Sequence, residues 1–265
     1  MKIGWFSAKR AAGGATAPVH QRHYPANPDL PTHYAIGDVH GRLDLLTALH
    51  HAIDEDQAQQ NTEGGQAIEV YLGDLIDRGP SSAGVIAQLL ERGANRPCIF
   101  LRGNHEAEFM RVLEGAAQPA QIMTWLKFGG GATALSYGVS ELPRFADEVA
   151  LRFMAELQVR VPLSHRKFLA RTQLYYVAEP YLFVHAGLRP GLALEAQSDL
   201  DLLTIRDEFL DSRKMYDHIV VHGHTPVMEV QFLANRINVD TGAFATNRLS
   251  CVRLDGSGTA SLLSL

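Results

Sequence analysis

The chain has 265 residues, of which 46% are hydrophobic and 20% charged, with a net charge of −5 and a mean hydropathy of −0.07. That balance excludes disordered, collagen-like and coiled-coil classes, and no run approaches the roughly 18 uninterrupted apolar residues of a membrane span. A pI near 6.2 argues against a nucleic-acid coat or a polybasic anchor, so neither nucleic acid nor membrane is an expected partner. Residues 1–19 lack the apolar core and cleavage pattern of a secretory signal. Cys98 and Cys251 each lie in an apolar, strand-like run, which predicts buried free thiols in a reducing compartment and a cytoplasmic location.

Residues 1–31 are rich in Ala, Gly and Pro without an apolar period, and are expected as an extended arm. A folded domain is expected over residues 32–265. It opens with Tyr34-Ala35-Ile36 ending at Gly37-Asp38, after which Leu43, Leu45, Leu46, Leu49 and Ile53 recur at helical spacing. A second strand, 68–72, ends at Gly73-Asp74, and Pro80 sits where a helix starts, ahead of Val85, Ile86, Leu89 and Leu90. A third strand, 97–101, ends at Gly103-Asn104. This βαβαβ order predicts parallel strands with right-handed crossovers.

Residues 106–170 read as a helical insertion, with helices near 106–113, 119–127, 144–158 and 164–170. Gly129-Gly130-Gly131 lacks the Lys-Ser/Thr of a phosphate loop and reads as a flexible connection, while Phe109, Met110, Trp125 and Phe128 read as packing residues of the insertion. From Leu174 short strands return, at 174–178, 181–185, 218–222, 227–232, 236–240 and 249–254. They predict a second, mixed sheet packed on the first.

Three strand ends carry nearly the same punctuation: Gly37-Asp38-Val39-His40-Gly41, Gly73-Asp74-Leu75-Ile76-Asp77-Arg78-Gly79 and Gly103-Asn104-His105-Glu106. Two later ends add His185-Ala186-Gly187 and His222-Gly223-His224-Thr225-Pro226. Ligands of parallel α/β sheets collect at the carboxyl ends of the strands. One Gly-Asp pair is an ordinary turn; five polar ends in order predict one site. Carboxylate, amide and imidazole donors without a thiolate suit Mn, Fe or Zn in a catalytic role better than Ca.

This ordered set resembles the phosphoprotein phosphatase family of the calcineurin-like metallophosphoesterases, closest to its small bacterial and phage branch, from Tyr34 onward. The resemblance implies an α/β fold, a two-sheet β-sandwich flanked by helices with a βαβαβ metal-binding core. It also implies two divalent cations, Mn²⁺ ahead of Fe or Zn. Asp38 and His40 would hold the first, Asp74 both, and Asn104 and His185 the second, with His224 on either one. The family pattern puts the ligand immediately before Thr225-Pro226, which selects His224 and leaves His222 as a neighbour. Asp77 would orient His105 as a proton-donating dyad, and Arg78, Arg206 and Asn104 would take the phosphate oxygens.

Two cations about 3.5–4 Å apart can activate one bridging hydroxide and clamp a phosphoryl group for in-line displacement. Against two carboxylates they leave the bare centre net positive, and two arginines offset the charge that gathers in the transition state. His105 would protonate an alkoxide leaving group, with Asp77 fixing its tautomer. The activity the resemblance implies is a metal-dependent phosphomonoesterase acting on a phosphoprotein or phosphopeptide, with phosphoserine and phosphothreonine ahead of phosphotyrosine. The alternative is a diadenosine polyphosphate hydrolase of the same superfamily. It ranks second because Glu106 stands where the symmetrical members of that group tend to carry Asp, and because that group often lacks an equivalent of Asp77. The insertion would roof the cleft and select substrates.

Overall fold

The protein is described by a computed structural model covering residues 21–60, 67–139, 141–143 and 147–263. Residues 1–20 of the expected arm lie outside these described residues; its later part forms β1 (Gln21–His23). Alternation along each strand decides which layer a side chain enters. In β2 (His33–Ile36), Tyr34 and Ile36 face helices while Ala35 faces the second sheet. In β3 (Ile68–Tyr71), Tyr71 joins the helical side and Val70 the other. With β4 (Cys98–Phe100) these strands form a parallel trio, connected by α1 (Leu43–Gln59) and α2 (Ser82–Asn95). Leu46, Leu49 and Ile53 of α1 and Val85, Ile86 and Leu89 of α2 share one core with Tyr34 and Tyr71.

The insertion supplies α3 (Asn104–Leu113), α4 (Pro119–Trp125), α5 (Gly131–Ser136), α6 (Asp147–Arg160) and α7 (Leu163–Ala170). Between α4 and α5, residues 126–130 widen into a π-type turn broken at Gly129. The second sheet contains β5 (Tyr175–Ala178), β6 (Tyr181–Val184), β7 (Ile219–His222), β8 (Gln231–Phe232) and β9 (Arg236–Asn238), in the order β5-β6-β7-β9-β8. Its outer face is covered by α8 (Asp199–Thr204) and α9 (Asp207–Leu210), where Leu182, Val184 and Val220 pack with Leu202 and Phe209. Phe183, Val221 and Ile237 turn the opposite way, onto Ala35, Val70 and Leu72 of the first sheet.

After α10 (Ala243–Thr246), β10 (Cys251–Leu254) and β11 (Thr259–Leu262) return to the first sheet, whose order is β1-β11-β10-β2-β3-β4. The sequence pattern assigns residues 249–254 to the second sheet. β10 instead runs antiparallel to β2, from Cys251 opposite Ile36 to Leu254 opposite His33. Both faces of that sheet are covered, so a short apolar run carries no mark of which sheet it joins. Cys251 is buried, Cys98 is half-buried, and both are free thiols. No helix among the described residues is long and apolar enough to cross a membrane.

Candidate metal centre and substrate cleft

The site is built from tight loops at the strand ends. His40, Asp74, Asp77, Arg78 and His224 have φ of 45°, 48°, 70°, 67° and 65°, the left-handed region that non-glycine residues enter at a cost on the order of 1–3 kcal/mol each. Neighbouring backbone holds them there. The His40 N–H donates to Asp74 O at 2.8 Å, Gly41 N–H to Leu75 O at 2.9 Å and Gly79 N–H to His40 O at 3.0 Å. The Glu106 carboxylate, fully buried in the first turn of α3, accepts from the N–H groups of Gly103, Asp74 and Leu75 at 2.8 Å each and of Ile76 at 3.3 Å. Gly73 and Gly103 are needed for close approach. A Cβ at Gly73 (φ +93°) would lie 2.5 Å from Gly103 N, and one at Gly103 would overlap Asp74 Oδ1.

Asp74 is the hub. Its Oδ2 lies 3.5 Å from His40 Nε2 and 3.8 Å from His105 Nε2, and its Oδ1 lies 3.4 Å from His185 Nε2. The carbonyls of Ile76 and Leu72 take the Nδ1 side of His40 and His185, each at 2.8 Å, which directs the Nε2 lone pairs inward. His185 Nε2 then meets Asp74 Oδ1, Asn104 Oδ1 at 3.1 Å and His224 Nδ1 at 3.1 Å. Acceptors converge on an acceptor. Burial pushes His40, His185 and His224 down, so protonation does not resolve this crowding. His224 Nε2 is buried without a hydrogen-bond partner.

Divalent cations fit the arrangement. Two sets of ligand atoms lie close together, His40–Asp74–His105 and Asp74–His185–His224, sharing Asp74. Burial alone would raise the Asp74 carboxyl, but His185, His105, His40 and His224 around it hold it well below the usual carboxylate range. Asp38, whose carboxylate accepts the His224 N–H at 3.1 Å, is pushed up by burial and by the charges of Asp240 and Asp74. Burial also pushes Asp240 up to about 7 and, with the Asp74 charge, Glu106 up to about 7. Bound positive charge would relieve all three. The oxygen and imidazole set matches first-row divalent metals.

The dyad is anchored by the insertion. Asp77 Oδ2 accepts from His105 Nδ1 at 2.7 Å and from Trp125 Nε1 at 2.9 Å, and Oδ1 accepts from Thr133 Oγ1 at 2.6 Å. Burial lowers His105, but the Asp74 charge and the Asp77 hydrogen bond outweigh it and raise the imidazole. Arg78 reaches His40 Nε2 at 2.7 Å and His105 Nε2 at 3.0 Å, with its guanidinium over the Phe244 ring at 4.7 Å. Arg206 is exposed across the cleft, 3.2 Å from Thr225 Oγ1. Arg78, Asn104, His105, Trp125, Phe128 and Arg206 line a cleft of about 520 Å³.

Two readings of the insertion are corrected. The glycine run is a docking seat rather than a flexible connection. Gly129 (φ +120°) accepts from the Arg78 N–H at 3.1 Å, and a Cβ there would lie 2.6 Å from Arg78 Cγ. Gly130 lies so close to the Trp125 indole that a Cβ would overlap it. Phe109 and Trp125 do pack, as rings 5.3 Å apart, but Phe128 is 56% exposed on the cleft. His222 is buried edge-on to Phe209 at 5.0 Å and belongs to neither ligand set. Trp125, Thr133 and the loop-binding role of Glu106 carry no local sequence signal. Asp240 does: Asp240-Thr241-Gly242 follows β9 with the punctuation of the other strand ends.

Residues 33–254 match the calcineurin-like phosphoesterase family, and the chain belongs to it. Among its relatives, the bis(5′-nucleosyl)-tetraphosphatase PrpE [asymmetrical] of Anoxybacillus flavithermus is 25% identical over 86% of this chain and 93% of its own. Its namesake from Bacillus subtilis is 29% identical over the same shares. A solved structure described as a candidate diadenosine tetraphosphatase shares the fold at a TM-score of 0.59, with 19% identity over 90% of this chain and 98% of that one. A protein serine/threonine phosphatase from Saccharomyces cerevisiae shares it at 0.51, with 16% identity over 90% and 81%. The relatives' name points to a nucleotide, which overturns the expected phosphoprotein or phosphopeptide partner. One of the two residues that rank the nucleotide alternative second has a different job. Glu106 is fully buried on backbone N–H groups, beyond the reach of any substrate.

Proposed function

We propose that the chain hydrolyses a phosphoric anhydride of dinucleoside polyphosphates, cutting a tetraphosphate asymmetrically into a nucleoside triphosphate and a nucleoside monophosphate. The observation that carries this reading is Arg78 and Arg206 lining one open cleft of about 520 Å³ with Asn104 and His105, a cationic track suited to a chain of phosphates. The name shared by the relatives supports it. Two divalent cations, Mn²⁺ ahead of Fe or Zn, held by Asp38, His40, Asp74, Asn104, His185 and His224, would supply the charge that activates water and neutralises phosphate oxygens. Arg78 and Arg206 bind the non-bridging oxygens and orient the scissile bond. Asp77 accepts the His105 Nδ1–H and, with Asp74, favours the imidazolium form, in which Nε2 carries the second proton for the leaving oxygen once Arg78 turns from that nitrogen to the phosphate. A nucleotide phosphate leaves with little help from a proton, whereas an alkoxide needs one.

The test is to load the chain with Mn²⁺ and compare diadenosine tetraphosphate with glycerol phosphate. The tetraphosphate is expected to give the higher kcat/KM and equal amounts of ATP and AMP. His105→Asn is expected to lower kcat on the alkyl ester by roughly 10²–10⁴-fold, with a smaller loss on the tetraphosphate. ADP as the sole product, or a preference for the alkyl ester, would overturn the proposal.

A further inference from the structure

We infer that Phe128 is the seat of a nucleobase, a stacking platform at the lip of the cleft. This inference rests on the dinucleotide reading above and adds which part of the insertion holds the base. Scattered exposed apolar residues need no explanation. Phe128 differs because its 56% exposed ring lines the same cleft as Arg78 and Arg206.

The ring is also held in place by its neighbours in the chain. Three residues before it, Trp125 donates to Asp77 at 2.9 Å; one residue after it, the Gly129 carbonyl accepts from Arg78 at 3.1 Å. Gly130 lies against the Trp125 indole. The wide turn at 126–130, a local geometry that re-aims side chains near functional sites, therefore cannot shift without disturbing both the dyad and the phosphate-facing arginine. Gln121 and Thr124 of α4 line the same cleft; with Gln121 Oε1 accepting from the Gln118 N–H and the Thr124 hydroxyl donating to Ala120 O, both at 2.9 Å, they offer an amide N–H₂ and a hydroxyl lone pair to a base edge or a ribose. One cleft thus brings together an aromatic face, polar side chains and two guanidinium groups, the chemistry that a base, a sugar and phosphates each need. Stacking on one ring accepts any base, because every base has a π-face.

The experiment uses the full chain with free Mn²⁺ held constant. Base–aromatic stacking corresponds to roughly a five- to hundredfold change in affinity. Phe128→Ala is expected to keep the thermal midpoint, raise KM for diadenosine tetraphosphate about tenfold and change kcat less than about twofold, while Phe128→Trp restores KM. ATP and inorganic tripolyphosphate, compared as inhibitors, isolate the base. Phe128→Ala is expected to weaken ATP about tenfold and leave tripolyphosphate unchanged. Unchanged inhibition by both, or equal weakening of both, would overturn the inference. If the wild-type chain leaves diadenosine tetraphosphate intact, the dinucleotide reading fails; the same inhibitor comparison, run on residual phosphomonoesterase activity, still decides whether Phe128 binds a base.

Discussion

The strand-end loops and the helical insertion meet at one carboxylate, Asp77, and reach it under different constraints. In the loops, residue type is dictated position by position. Gly73 and Gly103 touch neighbouring backbone and Asp74, and His40, Asp74, Asp77, Arg78 and His224 occupy a left-handed conformation while presenting a functional group. The insertion needs only to bring an indole N–H, a hydroxyl and a carbonyl to fixed points, through Trp125, Thr133 and Gly129. Chemistry therefore writes a recognisable string into the loops and leaves the insertion free to vary around a few contacts.

Removing the hub tests the loop side most severely. Asp74→Asn is expected to lower activity by at least about 10³-fold and to reduce bound metal in elemental analysis, because both ligand sets share that carboxylate. Full metal content with near-normal rates would remove Asp74 from the centre. The insertion is tested more gently by Trp125→Phe and Thr133→Val, each of which leaves the buried Asp77 carboxylate one donor short. Each is expected to cost about 1–3 kcal/mol in urea unfolding. Each should also lower kcat on an alkyl phosphate, and that loss should vanish in a His105→Asn background if the insertion acts through the dyad. Additive losses would mean that it acts by another route.

The smallest effect lies in the scaffold beneath both regions. His50 accepts from Gln88 at 2.8 Å and lies 2.7 Å from the Tyr71 hydroxyl, which donates to Glu69 at 2.6 Å. Burial and the Arg92 charge push His50 from 6.5 down to about 4. Between those values the unfolded chain binds a proton that the folded chain refuses, so this contribution is whole above about 6.5 and fades as pH falls to about 4. His50→Gln should therefore flatten the loss of stability between pH 7 and pH 5, read from urea midpoints at each pH. Parallel pH profiles for the two proteins would refute the assignment.

The legibility of the sequence follows the same division. The parallel trio and its crossovers were readable because apolar period, glycine and a polar strand end agree at 36–41, 72–79 and 101–106. The same agreement marks Asp38, His40, Asp74, Asn104, His185 and His224 as polar strand ends, while their roles, and the pairing of His105 with Asp77, come from the family resemblance. The sheet that β10 joins is decided by long-range pairing with β2, which four apolar residues do not encode. Phe128 reads as a packing residue from its type, but it sits in the π-type turn at 126–130 and is 56% exposed, a placement that residue type does not encode. Glu106 and Asp77 rank the nucleotide alternative second in the sequence, yet Glu106 binds only backbone and Asp77 only His105, Trp125 and Thr133 with its carboxylate, so neither touches a substrate.

The side chains gathered around Asp74 stand on different halves of the sandwich: His40 follows β2 and His105 lies in the first turn of α3 after β4, while His185 and His224 follow β6 and β7 of the second sheet. Slippage between the sheets thus changes the spacing of the donors around Asp74. Heat or denaturant that loosens the packing of Val70 and Leu72 on Phe183 and Val221 should release metal, and with it hydrolysis, while the helices are still intact.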